Sequence, residues 1–368
     1  MKNLFKILAA VFIGILMVSC EKDEDKAVLE VKKNSTLTAD ANTLVMLKVN
    51  ENDKAVKFTW TNPEFNLAVV NNNALEVAKA GTGFKDAKST DITAADLSAT
   101  YTVKDFNKII IDAGFLPEIA ENIEIRMKAS VGNAVSYSNV ISMKVTPYLT
   151  TYPSFYLVGE ASVVGWNAGT AQLLYKNENI STIYTYLEGA KTFRFLGQKD
   201  WNPLNYSLDF AGMNAANKYF KNWSSNLSAA PAENIKFNGT TGMYKIVIDA
   251  EAAQKSITVT PSPIAVWNPA NLYIVGTVNS WSAPTAIAMT NLGNGQFEHA
   301  IALPAGSQFK FLGQQSWGEL DWGNLLGDGN TGYLAPKGSN GNITFNGNGG
   351  NYKISVDLKL GIYKINPL

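Results

Sequence analysis

Residues 193–198 have the sequence Phe-Arg-Phe-Leu-Gly-Gln, and residues 309–314, at an offset of 116, have Phe-Lys-Phe-Leu-Gly-Gln. Other stretches recur in the same order: residues 155–159 match 272–276, residues 235–239 match 343–347, and residues 244–249 match 352–357. The offset falls to 108 for the last two matches, so a loop is shorter in the second copy. A period of this length predicts two tandem copies of one domain, not a solenoid. We name them repeat 1, residues 151–265, and repeat 2, residues 268–368.

Both repeats alternate apolar and polar residues, as Phe193, Arg194 and Phe195 do. Alternation with a period of two is typical of half-buried antiparallel strands. Each repeat is therefore expected to form a β-sandwich.

The segment before the repeats also contains short alternating runs of strand length, at residues 44–49, 56–60, 123–131 and 140–145. Residues 102–113 interrupt them with apolar residues at helical intervals, and Thr102 can cap a helix there. We expect residues 35–150 to form an immunoglobulin-like or fibronectin-III-like sandwich with one short helix, with Trp60 in its core.

The N-terminus has the features of a secretory signal: Lys2 and Lys6 precede an apolar run at residues 7–18, and a cleavage site follows. Twelve apolar residues would span only about 18 Å as a helix, against roughly 30 Å of bilayer hydrocarbon, so a permanent transmembrane anchor is disfavoured. Ser19 before Cys20 is similar to a bacterial lipobox, in which the cysteine is acylated. A secreted protein with an incidental cysteine is the alternative, but the chain has only this one cysteine.

These features predict a lipoprotein signal peptide at residues 1–19, and a lipidated Cys20 with a flexible acidic tether at residues 20–34. The acidic cluster at residues 21–25 is too polar to fold. With a single cysteine, the chain can form no intramolecular disulfide.

Charge and composition exclude several classes of function. Lys and Arg total 31, as do Asp and Glu, so no electrostatic field favours nucleic acid. The chain has one histidine, His299, and the repeat offset places Ile183 opposite it. The sequence therefore has too few histidines for histidine-based catalysis or a zinc site, and we predict no metal or cofactor. Residues 328–332 resemble a calcium-binding loop only in part. Their Asp, Gly and Asn residues are typical of turns, and we interpret the stretch as a turn.

A glycosidase needs two carboxylates, roughly 5–5.5 Å apart for retention or about 6.5–9.5 Å for inversion. The acids near the aromatic loops are Asp200, Glu319 and Asp321. The offset pairs them with Ser316, Pro203 and Asn205, so no acid there occurs in both repeats. We therefore predict no catalytic residues.

The two repeats share aromatic and hydrogen-bonding residues instead. The pairs are Trp166 with Trp281, Trp201 with Trp317, Tyr206 with Trp322, Arg194 with Lys310, and Gln198 with Gln314. A sugar ring has an apolar C–H face that packs on an aromatic ring, and hydroxyls that need donors and acceptors. The alternative is that these aromatics are core residues. Polar loops containing Pro and Gly favour exposure of Trp201, Trp317 and Trp322, whereas Trp223 and Trp267 are assigned to packing.

Together, the lipobox, the acidic tether, the immunoglobulin-like segment and the two repeated motifs resemble the SusE family of outer-membrane starch-binding lipoproteins. The resemblance implies an all-β fold: an N-terminal immunoglobulin-like sandwich followed by two tandem domains similar to carbohydrate-binding modules. It also implies a non-catalytic protein beside a SusD-like lipoprotein and a TonB-dependent transporter. The family's binding site, two aromatics with a basic residue, corresponds here to Trp166, Trp201 and Arg194, and to Trp281, Trp317 and Lys310. The repeat itself adds Asn205, Tyr206, Asp321 and Trp322 as candidates.

We therefore expect a lipid-anchored protein, exposed at the cell surface on the outer membrane, that captures starch or another α-glucan. The first alternative is a surface lipoprotein of the same kind that binds a different polysaccharide. A glycoside hydrolase would need a carboxylate pair unique to one repeat. In a third, structural alternative, the repeats are adhesive spacers, and their aromatic residues are buried at domain interfaces.

Overall fold

The computed structural model describes residues 28–92, 97–210, 217–251, 253–325 and 332–368. The predicted signal peptide, Cys20, the start of the tether and most of the calcium-like fragment lie outside these ranges. Strands dominate the described residues, which confirms the all-β fold class. Among them, no helix has the length and hydropathy to cross a membrane. The chain divides into two compact units, Met1–Leu149 and Thr150–Leu368.

The described part of the first unit contains the following elements: β1 (Val31–Lys33), β2 (Leu37–Ala39), β3 (Thr43–Val45), β4 (Lys54–Trp60), β5 (Glu64–Phe65), β6 (Asn72–Lys79), β7 (Lys88–Ile92), β8 (Ser98–Thr102), α1 (Val103–Asp112), β9 (Glu121–Val131), β10 (Ala134–Tyr137) and β11 (Ile141–Thr146). One sheet has the order β2-β4-β8, and a larger one has the order β3-β11-β9-β6-β7 with β10 paired to β9. Their inner faces and α1 enclose one apolar core.

Several local predictions for this unit are confirmed. Helix α1 begins after Thr102, whose hydroxyl accepts a hydrogen bond from the Asp105 amide at 3.1 Å, as an N-cap does. Trp60 is buried in the core. The immunoglobulin-like assignment of this unit stays a prediction.

Two local predictions differ from the structure. The run at residues 44–49 is a strand only to Val45, and a 3₁₀ turn follows at Lys48–Asn50. Within the predicted tether, Val31–Lys33 pair with β5 as strand β1, and Lys33 forms an ion pair with Glu64 at 3.4 Å. Backbone pairing orders these residues despite their polar composition.

Repeat 1 contains strands β12 (Tyr156–Val158), β13 (Gln172–Leu173), β14 (Tyr175–Asn177), β15 (Ile180–Leu187), β16 (Thr192–Leu196), β17 (Asn205–Leu208), β18 (Lys218–Phe220), β19 (Asn222–Trp223), β20 (Leu227–Ala230), β21 (Asn234–Phe237), β22 (Gly242–Asp249) and β23 (Ser256–Pro261). One sheet has the order β13-β12-β16-β17-β18, with β21 also paired to β16. The other has the order β14-β15-β22-β23-β19. Residues from both sheets share one core, so the repeat is a sandwich.

Repeat 2 contains strands β24 (Tyr273–Gly276), β25 (Ile287–Ala288), β26 (Thr290–Gly293), β27 (Gln296–Leu303), β28 (Gln308–Leu312), β29 (Asp321–Leu325), β30 (Leu334–Pro336), β31 (Asn340–Gly341), β32 (Ile343–Thr344), β33 (Gly350–Asp357) and β34 (Ile362–Pro367). Its sheets have the orders β25-β24-β28-β29-β30 and β26-β27-β33-β34. The strand that carries the repeated motif, β16 or β28, is central in the first sheet of each repeat. The outer domain limits at residues 151, 265 and 268 stay predictions.

The first repeated strand ends in a glycine because its partner strand approaches closely. A Cβ on Gly276 would lie 2.1 Å from the Gln308 carbonyl oxygen, and one on Gly159 would lie 2.3 Å from the Phe193 Cα. No side chain fits at these distances, so both repeats keep glycine.

We predict that Gly276→Ala lowers the free energy of unfolding by roughly 1–3 kcal/mol, the usual cost of overpacking. Thermal and denaturant unfolding measure the change. Gly242→Ala is the matched control, since its Cβ would meet no atom nearer than 4.0 Å. Equal effects of the two variants would contradict the close-packing explanation.

Candidate functional site

Two exposed indole rings lie side by side in repeat 1. Trp166, between β12 and β13, is 41% exposed, and Trp201, between β16 and β17, is 39% exposed. Their ring centroids are 6.2 Å apart, and the ring planes are inclined by 35°. We call this pair platform 1.

Small apolar residues hold the Trp166 loop against the sheet. Ala168 and Ala171 pack on Val158 of β12 and Leu196 of β16, on the face opposite the core. The loop therefore runs back across the outer face of the sheet and brings Trp166 beside Trp201.

Repeat 2 builds the same arrangement. Trp281 and Trp317 have ring centroids 6.5 Å apart and planes inclined by 25°; Trp317 is 52% exposed, whereas Trp281 is partly buried. Ala283 and Ala286 pack on Val275 and Leu312 as their counterparts do in repeat 1. We call this pair platform 2.

The backbone of the Trp281 loop is tightly turned. Ser280 and Trp281 both have positive φ angles, 55° and 60°, and the Trp281 amide donates to the Gly276 carbonyl at 2.8 Å. Left-handed conformations at two successive non-glycine residues are unfavourable, and such strain concentrates at functional sites. This turn sets the position of the Trp281 ring.

Arg194 lies beside platform 1, on the outer face of β16 between the two core phenylalanines. Its guanidinium donates to the Asn234 side-chain oxygen at 2.7 and 3.0 Å, to the Asn205 side-chain oxygen at 3.3 Å, and to the Ala232 carbonyl. Its Cζ lies 6.0 Å from the centroid of the Trp166 ring. Burial lowers the pKa of Arg194 from its ordinary value, and Glu233 opposes this shift. The guanidinium stays charged at neutral pH.

Lys310 holds the matching position in repeat 2 with different partners. Its ammonium donates to the Asn340 side-chain oxygen at 3.2 Å and lies 3.7 Å from the Asp321 carboxylate. The Asn340 amide donates to the same carboxylate at 2.9 Å. The buried Asp321 is therefore an ion-pair partner of the lysine.

Asn205 occupies the position of Asp321 in repeat 1, and it connects the cation to the platform. It accepts a hydrogen bond from Arg194 and donates through its amide to the Trp201 carbonyl at 2.5 Å. One side chain thus contacts both the cation and the backbone of the loop that carries Trp201.

Gln198 and Gln314 brace the loops that carry the second tryptophan. Gln198 donates to the carbonyls of Asp200 and Leu204 at 2.8 and 3.1 Å, and Gln314 donates to the carbonyl of Ser316 at 3.0 Å. These bonds shape the loops. A direct contact of either glutamine with a ligand stays a prediction.

Tyr206 and Trp322 do not belong to the platforms, contrary to the expectation from the repeat and, for Trp322, from its polar loop. They are 8% and 6% exposed, and they lie in the cores of their repeats. The register explains this, because Tyr206 is paired with Phe195 and Trp322 with Phe311, so that each shares the core-facing side. A ring buried to this degree offers no face to a ligand, and we assign both residues to packing.

Sequence reasoning missed the amides that hold the two cations, Asn234 and Asn340. A signal existed, since an asparagine precedes the repeated Ile-x-Phe stretch in both repeats, at Asn234 and Asn342. In repeat 2, however, Asn342 donates to Gln308 at 3.1 Å, and Asn340 contacts the lysine. Within the described ranges, no cluster of His, Cys, Asp and Glu could hold a metal ion.

Comparison with known proteins agrees with the resemblance seen in the sequence. Residues 22–128 match the family described as SusE outer membrane protein. The resemblance to the SusE family is thus confirmed for this segment, which is under a third of the chain.

The crystal structure of SusF from Bacteroides thetaiotaomicron matches this chain with 17% identity and a TM-score of 0.26. The alignment covers 90% of this chain and 76% of that chain. No curated protein matches the sequence.

We predict that the free energy of unfolding depends strongly on Trp322 of repeat 2 and hardly at all on Trp317. Trp322→Ala should lower the free energy of unfolding by about 3–5 kcal/mol, because it empties a core position. Trp317→Ala should change it by less than about 0.5 kcal/mol, because the ring is exposed. Denaturant unfolding measures both, and equal destabilisation would place Trp317 in the core.

Proposed function

We propose that platforms 1 and 2 each bind a short stretch of a neutral polysaccharide. The observation that carries this proposal is the pair of indoles in ring contact that recurs in both repeats, at 6.2 and 6.5 Å, with three of the four rings exposed and Trp281 partly buried. Large aromatic rings kept in solvent contribute little to folding, and two in contact form a surface on which the C–H faces of sugar rings can stack. An α-glucan is the preferred ligand, because the rings are inclined to each other and fit a curved chain better than a flat one.

The cations supply donors for sugar hydroxyls at the edge of each platform. A guanidinium has five N–H groups, and the contacts of Arg194 within the described residues engage four of them. An ammonium has three, and Asn340 and Asp321 are the two partners of Lys310 there. Counted against the partners in the described ranges, one donor of each cation thus remains for a ligand.

We propose a non-catalytic role. Hydrolysis of a glycosidic bond requires one carboxylic acid and one carboxylate on either side of the bond. Asp321 is buried against Lys310, and Glu319 pairs with Lys337 at 2.9 Å. In repeat 1, Asn205 replaces Asp321, so the two platforms have no acid in common. The chemistry that they share supports binding.

The proposed setting is the outer face of the outer membrane, with Cys20 as the lipid anchor. There the protein would hold polysaccharide beside a SusD-like lipoprotein and a TonB-dependent transporter. The membership of residues 22–128 in an outer-membrane protein family supports this setting.

We predict that Trp201→Ala abolishes glycan binding at platform 1 and that Trp317→Ala abolishes it at platform 2. With a short maltooligosaccharide, calorimetry should show two binding equivalents for the wild type and one for each variant. The double variant should lose binding to starch, because stacking on both platforms is gone. A glycan array on the same proteins identifies the ligand if it is not an α-glucan.

Leu292→Ala is the control, since this residue is exposed and lies on β26, in the sheet of repeat 2 opposite the one that carries platform 2. Two equivalents in either single variant would contradict the assignment of the platforms. Release of new reducing ends from starch by the wild type, and its loss in a variant with Glu319→Gln and Asp321→Asn, would contradict the non-catalytic role.

We predict that Cys20→Ala moves the protein from the membrane fraction to the soluble fraction, because the acyl chains are lost. Cell fractionation measures the change, and protease treatment of intact cells tests surface exposure. Ser19→Ala is the control, since a small residue before the cysteine preserves the cleavage site. A Cys20→Ala variant that stays with the membrane would contradict the proposed anchor.

A further inference from the structure

Repeat 2 inserts a turn into the surface of repeat 1. The turn lies between β33 and β34, at residues 358–361, and its backbone carbonyls accept hydrogen bonds from repeat 1. Lys359 accepts from the Tyr186 amide at 2.9 Å and from the Thr185 hydroxyl at 3.0 Å, and Leu360 accepts from the Gln172 side chain. Thr185 and Gln172 are both buried, so these bonds lie in a dry contact.

Gly361 ends this turn at a point where no side chain fits. Its φ angle is +64°, and a Cβ there would lie 1.8 Å from the carbonyl oxygen of Tyr184 in repeat 1. The backbones of the two repeats are therefore in direct contact. A small displacement of one repeat on the other would break this fit, because packed surfaces have few alternative arrangements.

An apolar cluster extends the contact. Tyr184 of repeat 1 and Leu325 and Ala335 of repeat 2 are fully or nearly fully buried together. Tyr175 of repeat 1 and Tyr333 of repeat 2 have ring centroids 5.6 Å apart, and Tyr333 also packs on the core of repeat 1. The interface thus has the composition of a core, unlike the polar contacts of freely moving domains.

We call residues 262–272, between β23 and β24, the connector; it overlaps the predicted ends of both repeats and is fixed to both sandwiches. Ile264 is buried in the core of repeat 2. The ring of Trp267 lies 5.4 Å from that of Tyr186 in repeat 1, and the Lys359 ammonium of repeat 2 lies 4.1 Å from the Trp267 ring centroid. The connector therefore reinforces the contact and does not act as a free hinge.

The elements that form this interface also support the platforms. Gln172 lies in β13, which pairs with β12, and Val158 of β12 packs under the Trp166 loop. Strand β29 carries Asp321, the partner of Lys310, at one end and Leu325 of the interface at the other. A fixed interface therefore fixes the platforms relative to each other.

We infer that the two repeats form one rigid binding body, so that a glycan engages both platforms only above a fixed chain length. The minimum chain length rests on the proposed glycan binding, whereas the rigidity of the two repeats can be tested without a ligand. Shorter glycans occupy the platforms independently, and longer ones gain affinity because the second contact becomes intramolecular.

The first test compares Gly361→Ala with Gly306→Ala in the full mature chain. Both glycines have positive φ angles, +64° and +73°, so alanine introduces the same kind of backbone strain. Only the Cβ at position 361 meets the other repeat, since the one at position 306 meets no atom within 4 Å. Any difference between the variants therefore reports on the interface.

Hydrogen exchange at residues 180–187 is the first measurement, because the Tyr186 amide donates to Lys359. We expect exchange at this amide to be about tenfold faster in Gly361→Ala and unchanged in Gly306→Ala, since opening of a local contact raises exchange. Equal exchange in the two variants, or wild-type exchange at residues 262–271 as fast as in an unstructured peptide, would overturn the rigid body. If Gly361→Ala does not fold, Trp267→Leu replaces it and should give the same increase.

The second measurement is the affinity for oligosaccharides of increasing length. The wild type and Gly306→Ala should gain affinity in one step at a single chain length, whereas Gly361→Ala should gain it gradually over several lengths. Affinity for the shortest ligands should be the same in all three. A gradual gain in the wild type would overturn the fixed span, while absence of any binding would contradict the proposed function and leave the exchange result to decide the rigidity.

Discussion

The structure of each repeat depends on one central strand whose side chains alternate between the two faces of the sheet. Those on one face fill the core, and the cation on the other face lies beside the platform. In β16, Phe193 and Phe195 enter the core, and Arg194 between them lies on the opposite face of the sheet. Strand β28 does the same with Phe309, Lys310 and Phe311. A shift of one residue in the pairing would bury the cation and expose the phenylalanines, so the hydrophobic core also fixes the position of the charge beside the platform.

The cation has different hydrogen-bond and ion-pair partners in the two repeats. The partners differ together with the cation itself. Arginine in repeat 1 is held by the neutral side chains Asn205 and Asn234, because its planar fork can donate to several acceptors at once. Lysine in repeat 2 is a compact charge, and it lies near the carboxylate of Asp321. A buried carboxylate without a cation would be strongly unfavourable, so Lys310 and Asp321 depend on each other. The exchange of Arg for Lys and of Asn for Asp therefore changes the local chemistry but preserves the position of a donor.

Sequence reasoning predicted the elements that depend on local pattern. The repeat matched Trp166 with Trp281 and Trp201 with Trp317, the family resemblance alone placed the two tryptophans of each repeat together, and the helical spacing after Thr102 identified α1. It misplaced Tyr206 and Trp322 because their burial depends on the register with Phe195 and Phe311, which composition of the surrounding loop does not reveal. The contact of Gly361 with Tyr184 joins residues far apart in the chain, and no local pattern indicates it.

The division between the two faces of the sheet also explains why the exposed tryptophans need a role outside folding. Burying an indole stabilises a protein by removing a large apolar surface from water, and Tyr206 and Trp322 contribute in this way. Trp166, Trp201 and Trp317 leave much of their surface in water, and they pair with each other across loops that small alanines hold in place. Chance exposure would scatter single aromatics, whereas here two pairs recur at similar spacing in two repeats. Because the loops rest on the outer face and leave the core intact, their residues can change with the ligand while the sandwich, and the interface that joins the two sandwiches, stay the same.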